Sequence, residues 1–204
     1  IIYRSHAQIA GITQLLEDKG IPFNAKQRVN VFNEPLIKKL VLILRYIDLE
    51  YKKPDSAEYL LFEMLHYDFF DIALNDITKL TRELAKLRST EKKSWREMLS
   101  NKQFMLQLGL VSSGKISSLE ANLTYWIKEK ANYTIQVLLE KIITRGNVLE
   151  KIMHEQNKVW KMQLLTTFFN FIKEETAKAP NMDLSMLLST IDKMIKNRIA
   201  LPAN

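Results

Sequence analysis

The sequence predicts a mainly α protein, a multi-helix body preceded by a short strand–helix–strand remnant. Three observations predict it. Apolar residues recur at helical spacing from Leu36 to Ile195. Only 5 Gly and 5 Pro in 204 residues leave little turn chemistry for an all-β fold or for long linkers. The pattern changes near Glu34: before it the chain reads as strand, helix and strand, and after it as helices alone.

Ile1 to Tyr3 reads as the end of a buried strand belonging to something larger. Ala7 to Leu16 reads as a helix, with Ile9, Ile12, Leu15 and Leu16 on one face and Gly20 as its stop. Ile21-Pro22-Phe23 follows as an edge or strand start, because Pro22 lacks a ladder donor. A sheet fragment this small cannot bury both its faces, so its missing strands are expected elsewhere in a parent chain.

Leu36, Ile37, Leu40, Val41, Leu44 and Ile47 form the first stripe of the body. Pro54-Asp55 should break it, with Asp55 and Glu58 supplying N-cap chemistry for a helix from Ser56 to about His66. An aromatic connection, His66 to Ile72, leads to a helix marked by Ile77, Leu80, Leu84 and Leu87. Another helix is expected from Trp95 to Leu106. Gly109 to Gly114 reads as the clearest loop. Ser117 and Glu120 have capping-box spacing for a helix through Leu119, Leu123, Trp126 and Ile127. Ile135, Leu138, Leu139 and Ile142 continue in a new helix, ended by Arg145-Gly146-Asn147. Val159 to Ile172 is apolar on more than one face and is expected to be the central buried helix. Asp183 should start the last helix, with Leu184, Leu187, Leu188, Ile191 and Ile195 inward. No internal repeat or low-complexity segment occurs.

Composition excludes several function classes. A hydrophobic fraction of 47% allows a sizeable core. The absence of Cys excludes disulfides and thiolate metal sites, and fits a reducing, cytoplasmic setting. The longest apolar runs are too short to span a bilayer, so no membrane association is expected. The net charge of +7 favours an anionic partner such as nucleic acid, although the excess is dispersed. No phosphate-cradling G-x-x-x-x-G-K-[ST] loop is present, so ATPase activity is not expected of this chain. The three histidines, His6, His66 and His154, are scattered, so neither a zinc site nor a catalytic residue is assigned. Ser112-Ser113-Gly114 lacks a nucleophile elbow. The sequons at Asn122 and Asn132 fall in expected helices and read as chance. Lys38, Lys39 and Arg45, then Lys92, Lys93 and Arg96, then Lys193, Lys196 and Arg198 are basic groups that read first as solvated helix faces. Trp95 among Lys92, Lys93 and Arg96 is the aromatic–basic cluster that could stack on nucleic acid.

The opening stretch resembles the UvrD/Rep/PcrA-type superfamily 1A DNA helicases. The resemblance rests on Ile2-Tyr3-Arg4-Ser5-His6-Ala7-Gln8, Leu16-Glu17, Ile21-Pro22-Phe23 and Phe32, then Ile37-Lys38 and Leu44-Arg45. It implies that residues 1–32 are a fragment of the RecA-like motor domain 2A. Residues 33–204 would be the helical accessory subdomain 2B. The region from Leu60 to Leu80 resembles helicase–nucleases of the AddA/RecB kind more than UvrD proper. The resemblance further implies a role in DNA unwinding, repair or recombination. ATP and Mg would belong to the parent protein and no cofactor to this chain. DNA would be the partner, alongside protein partners. Arg4 and His6 occupy the positions that touch single-stranded DNA in the family, where Arg binds phosphate or stacks and His donates or stacks. From the residues alone, both also fit helix-start positions that cap backbone groups. The turn by which some relatives grip duplex DNA has no counterpart near Tyr67 to Phe70. Two other readings stand beside this one: an all-helical protein-interaction scaffold, and an independent DNA-binding domain.

Overall fold

The computed structural model describes residues 29–90 and 93–203, together with Ile12, Leu15, Leu16 and Lys19. Ile12, Leu15 and Leu16 are helical, as expected for that segment. The two expected strands before Val29 lie outside the described residues. Among the described residues there is no strand, only an isolated antiparallel bridge between Asn30 and Pro202.

After a 3-10 turn at Val31–Asn33, ten helices follow in the described chain. They are α1 (Pro35–Lys52), α2 (Glu58–Met64), α3 (Leu74–Thr90), α4 (Trp95–Ser100) and α5 (Lys102–Gln107). Then come α6 (Ser113–Glu129), α7 (Ile135–Arg145), α8 (Val148–Met153), α9 (Lys158–Lys178) and α10 (Leu184–Lys196).

Helix α1 is the axle of the body. Pro35 opens it, where a missing N–H costs nothing. Leu36, Ile37, Leu40, Ile43, Leu44, Tyr46 and Ile47 are all buried. They face α2, α6, α9 and α10 on different sides. The sequence pointed instead to the segment from Val159 to Ile172 as the central helix. In the structure Val159 is 75% exposed and Met162 37% exposed. Only Leu164, Leu165, Phe168, Phe171 and Ile172 of α9 are buried. Apolar residues on two faces imply burial only where a neighbour covers both, and the first turns of α9 have cover on one side alone.

Several helix ends differ from expectation for identifiable reasons. Asp55 does not cap α2. It sits at φ 60, and its N–H donates to Glu50 Oε2 at 3.0 Å. The other Glu50 oxygen accepts from Ala57 N, also at 3.0 Å. A carboxylate from the preceding helix thus satisfies the donors that a local cap would have taken. The segment expected as one helix from Trp95 to Leu106 is two, because Asn101 ends α4 and its side chain accepts from Phe104 N to start α5. The capping box expected at Ser117 and Glu120 lies inside α6, which begins at Ser113. A true box stands at Ser94 and Glu97, where side chain and backbone bond reciprocally at 3.2 and 3.0 Å. Asn132 lies in a turn rather than in a helix. Ile195 is 48% exposed, so the inward stripe of α10 ends at Ile191.

Other expectations hold. Arg145 ends α7, and a side chain at Gly146 would bring its Cβ within 2.5 Å of the Ile142 carbonyl oxygen. Asp183 caps α10 through Met186 N at 2.7 Å. Tyr67, Phe69 and Phe70 fold the aromatic connection into the core, with Phe69 and Phe70 edge-to-face at 4.7 Å. No described helix is long and apolar enough to cross a membrane.

Candidate functional site

The two ends of the helical body are held together. Val31 N donates to Leu201 O at 2.8 Å, and Ala203 N donates to Val29 O at 3.0 Å. Asn30 Oδ1 accepts from Phe32 N at 3.2 Å and from Leu201 N at 3.1 Å. One amide oxygen therefore caps the 3-10 turn and pins the outgoing segment. Phe32 anchors this neck by an edge-to-face contact with Phe171 of α9, centroids 5.4 Å apart. Residues 29–31 and 201–203 run side by side and antiparallel.

Arg4 and His6 lie outside the described residues, as does Lys92. The other basic groups separate into committed and uncommitted charges. Lys39 pairs with Asp68. Arg45 forms a two-pronged pair with Asp192, at 3.1 and 2.6 Å, which ties α1 to α10. Arg96 donates to Thr124 Oγ1 at 2.5 Å, with Glu120 at 3.7 Å. Trp95 is 5% exposed, packs on Phe62 at 5.7 Å, and cannot present a stacking face. Within the aromatic–basic cluster singled out there, Trp95 is therefore a packing residue, with its indole turned inward at the start of α4. Lys193, Lys196 and Arg198 are exposed and form no ion pair among the described residues. They stand just before Leu201, at the body's outgoing end, where Lys193 and Lys196 also complement the end of the α10 dipole. His66 and His154 are exposed helix-end residues, and His66 Nδ1 lies 2.9 Å from Phe62 O. Among the described residues no group of three His, Cys, Asp or Glu could hold a metal ion.

Asp48 is a heavily engaged charge, with three side-chain donors. It is 5% exposed, and it accepts from Lys130 at 2.7 Å, Lys52 at 2.8 Å and Ser185 at 2.8 Å. These partners come from α1 itself, the end of α6 and α10. Burial by itself would raise the Asp48 carboxyl, but the bonds from Lys130, Lys52 and Ser185 outweigh it and hold the group below its ordinary value. The Tyr46 hydroxyl and Trp126 Nε1 are buried without a partner among the described residues. Burial, then the charge of Glu50, pushes the Tyr46 hydroxyl well above its ordinary range.

Neither Asn30 nor Asp48 was singled out from the sequence. Asp48 carried a usable signal, an acid inside the apolar run of α1, since a buried carboxylate needs several donors. Asn30 carried none, because its partner Leu201 is 171 residues away. Compared with protein-family models and with curated proteins, the chain finds no match.

Proposed function

We propose that the helical body is an accessory, regulatory insertion of an ATP-dependent DNA helicase of the UvrD/Rep/PcrA type, acting in DNA unwinding, repair or recombination in the cytoplasm. The neck is the observation that carries this reading. A body whose two connections lie antiparallel and hydrogen-bonded can be inserted into a host domain without stretching either connection. The opening residues, with their likeness to the edge of motor domain 2A, supply the host. In this reading, ATP and Mg act in the parent motor, and the body's part is to move on its neck and touch DNA or partner proteins. The exposed Lys193, Lys196 and Arg198 lie on the neck side, close to where the motor and its DNA would stand.

Arg4 and His6 are the proposed DNA contacts. An arginine bound to phosphate contributes about 1.5–3 kcal/mol when the rest of the track is present. Alone on a fragment it is a screened surface charge. Arg4→Ala should therefore lower DNA-stimulated ATPase of the intact parent while leaving weak, salt-sensitive DNA binding by the 204-residue chain unchanged. An intact Arg4→Ala enzyme that behaves as wild type removes the contact and returns Arg4 to a helix-start role.

A second reading, an all-helical protein-interaction scaffold, is favoured by one feature. Ala73 N donates to Ser112 Oγ at 2.9 Å, and Ser112 N donates to Asp76 at 2.6 Å. Leu74, 68% exposed, follows Ala73 in the chain, and Val111, 88% exposed, precedes Ser112. Two exposed apolar residues flanking one bonded loop junction suit protein contact better than phosphate contact.

A further inference from the structure

A half-open groove of about 780 Å³ lies between the start of α6, the end of α7 and Phe70 of the aromatic connection. Lys115, Asn122, Arg145 and Asn147 are among its polar lining, and none of its lining residues is acidic. Arg145 is held there by neutral groups alone. Its guanidinium lies 4.1 Å from the centre of the Tyr125 ring. Its Nε donates to Asn122 Oδ1 at 3.1 Å, and Asn122 Nδ2 donates to the Arg145 carbonyl at 2.9 Å. Its Nη1 and Nη2 have no hydrogen bond or ion pair among the described residues. Arg45 and Arg96 are oriented differently, beside the carboxylates of Asp192 and Glu120. Tying α6 to α7 needs only the Nε and the carbonyl of Arg145, so the outer edge of the fork is oriented without being neutralised. Two carboxylates stand near the groove without lining it. Asp71 pairs with Lys115, but its side chain is 76% exposed, and such a pair contributes little and exchanges readily. Asp76 is buried and accepts from Ser112 N at 2.6 Å, so the amino end of α6 already has its anion. That leaves Arg145 as a fixed lining cation without a counter-charge, and Lys115 as a second whose partner lies in solvent.

We propose that this groove binds one phosphate monoester. Nη1 and Nη2 of Arg145 take two of its oxygens, in the two-pronged geometry that a guanidinium offers an oxyanion. Lys115 leaves Asp71 and supplies the second charge. A monoester carries a charge of about −1.5 to −2 at pH 7, which matches two cations better than a carboxylate does. A nucleic-acid strand fits the same place poorly. It needs a continuous track of cations, and the adjoining groove, which shares Lys115 and Asn147, is lined by Asp68, Asp71 and Glu150. This inference does not rest on the helicase reading, and its failure would leave that reading untouched.

The test is a titration of the isotopically labelled chain, followed through the Arg145 Nε–H resonance and the amides of Gly114, Lys115, Gly146 and Asn147. The probes are inorganic phosphate and a degenerate pool of short peptides with a central phosphoserine. The controls are the same pool with glutamate in place of phosphoserine, and a short single-stranded DNA. Both phosphate probes should shift these resonances. Tighter binding of the peptide pool assigns the monoester to a phosphorylated protein, and equal binding assigns it to a small phosphate. Arg145→Gln, at an exposed position, should weaken binding by about tenfold or more. Arg145→Lys keeps the charge without the fork and should fall between Arg145→Gln and wild type. Four results would each overturn the proposal: no shift with either phosphate probe, equal affinity for the glutamate pool, unchanged affinity in Arg145→Gln, or the same resonances shifted as strongly by DNA.

Discussion

Replacing Asn30 by alanine removes an acceptor shared by the two ends of the body, at Phe32 and Leu201. Asn30 Oδ1 takes the N–H of Phe32 and the N–H of Leu201. Each such bond is worth about 0.5–1.5 kcal/mol net, so losing both weakens the neck by about 2 kcal/mol. The loss falls on local opening more than on global unfolding, because the buried core from Leu36 to Ile191 does not depend on it. The appropriate assay is amide hydrogen exchange. A 2 kcal/mol loss corresponds to about 30-fold faster exchange at Val31, Leu201 and Ala203. Amides in the middle of α1 should keep their protection. Asn30→Asp retains an acceptor at the same place and should behave closer to wild type. Unchanged exchange at Leu201 in Asn30→Ala would refute the pinning role, as would an Asn30→Asp neck as loose as the alanine variant.

Four further outcomes are expected. Leu40→Ala, in the fully buried face of α1, should cost about 2–5 kcal/mol in denaturant unfolding, whereas Val159→Ala, at 75% exposure, should stay within about 0.5 kcal/mol. Asp48→Ala leaves Lys130 largely buried without its anion and should cost about 3 kcal/mol, read as a lowered urea midpoint. The folded Asp48 carboxyl lies below its ordinary value of 3.8, so its stabilisation is present above that value and is lost as pH falls through the lower folded one; wild type should lose its advantage over Asp48→Asn in that acid window and nowhere else. Tyr46→Phe removes a buried hydroxyl without a partner among the described residues and should be neutral or stabilising by about 1 kcal/mol, so clear destabilisation would reveal a partner for that oxygen.

The helical body is legible in the sequence where burial is one-sided and local. Leu36 to Ile47, Ile77 to Leu84, Ile135 to Ile142 and Leu184 to Ile191 show their stripes at helical spacing, and these residues are buried, although the expected stripe members Val41 and Leu87 are only half-buried. Helix ends were less legible, because the groups that satisfy them come from elsewhere. Glu50 caps the start of α2 from the preceding helix, so Asp55 and Glu58 misled. Ser94 and Ser117 both precede a glutamate by the same spacing, and only tertiary packing selects the first. The Trp95 side chain illustrates the same limit: its charged neighbours suggested a surface platform, while Phe62 and the start of α4 take it inward. The neck was illegible because it pairs residues from opposite ends of the body. Arg4 and His6 belong to the sequence argument alone, since both lie outside the described residues.

The central claim is that this body is an insertion carried by a DNA-dependent motor. The most direct measurement is ATP hydrolysis and strand separation by the intact parent, with residues 34–199 either present or replaced by a short Gly-Ser linker across the neck. The account predicts that the excised enzyme still hydrolyses ATP in response to single-stranded DNA, because the neck connections are adjacent and the motor closes over the gap. Its unwinding should change, because the regulatory body is gone. A parent with no DNA-stimulated ATPase, or an excision that leaves both ATPase and unwinding as they were, would contradict the account.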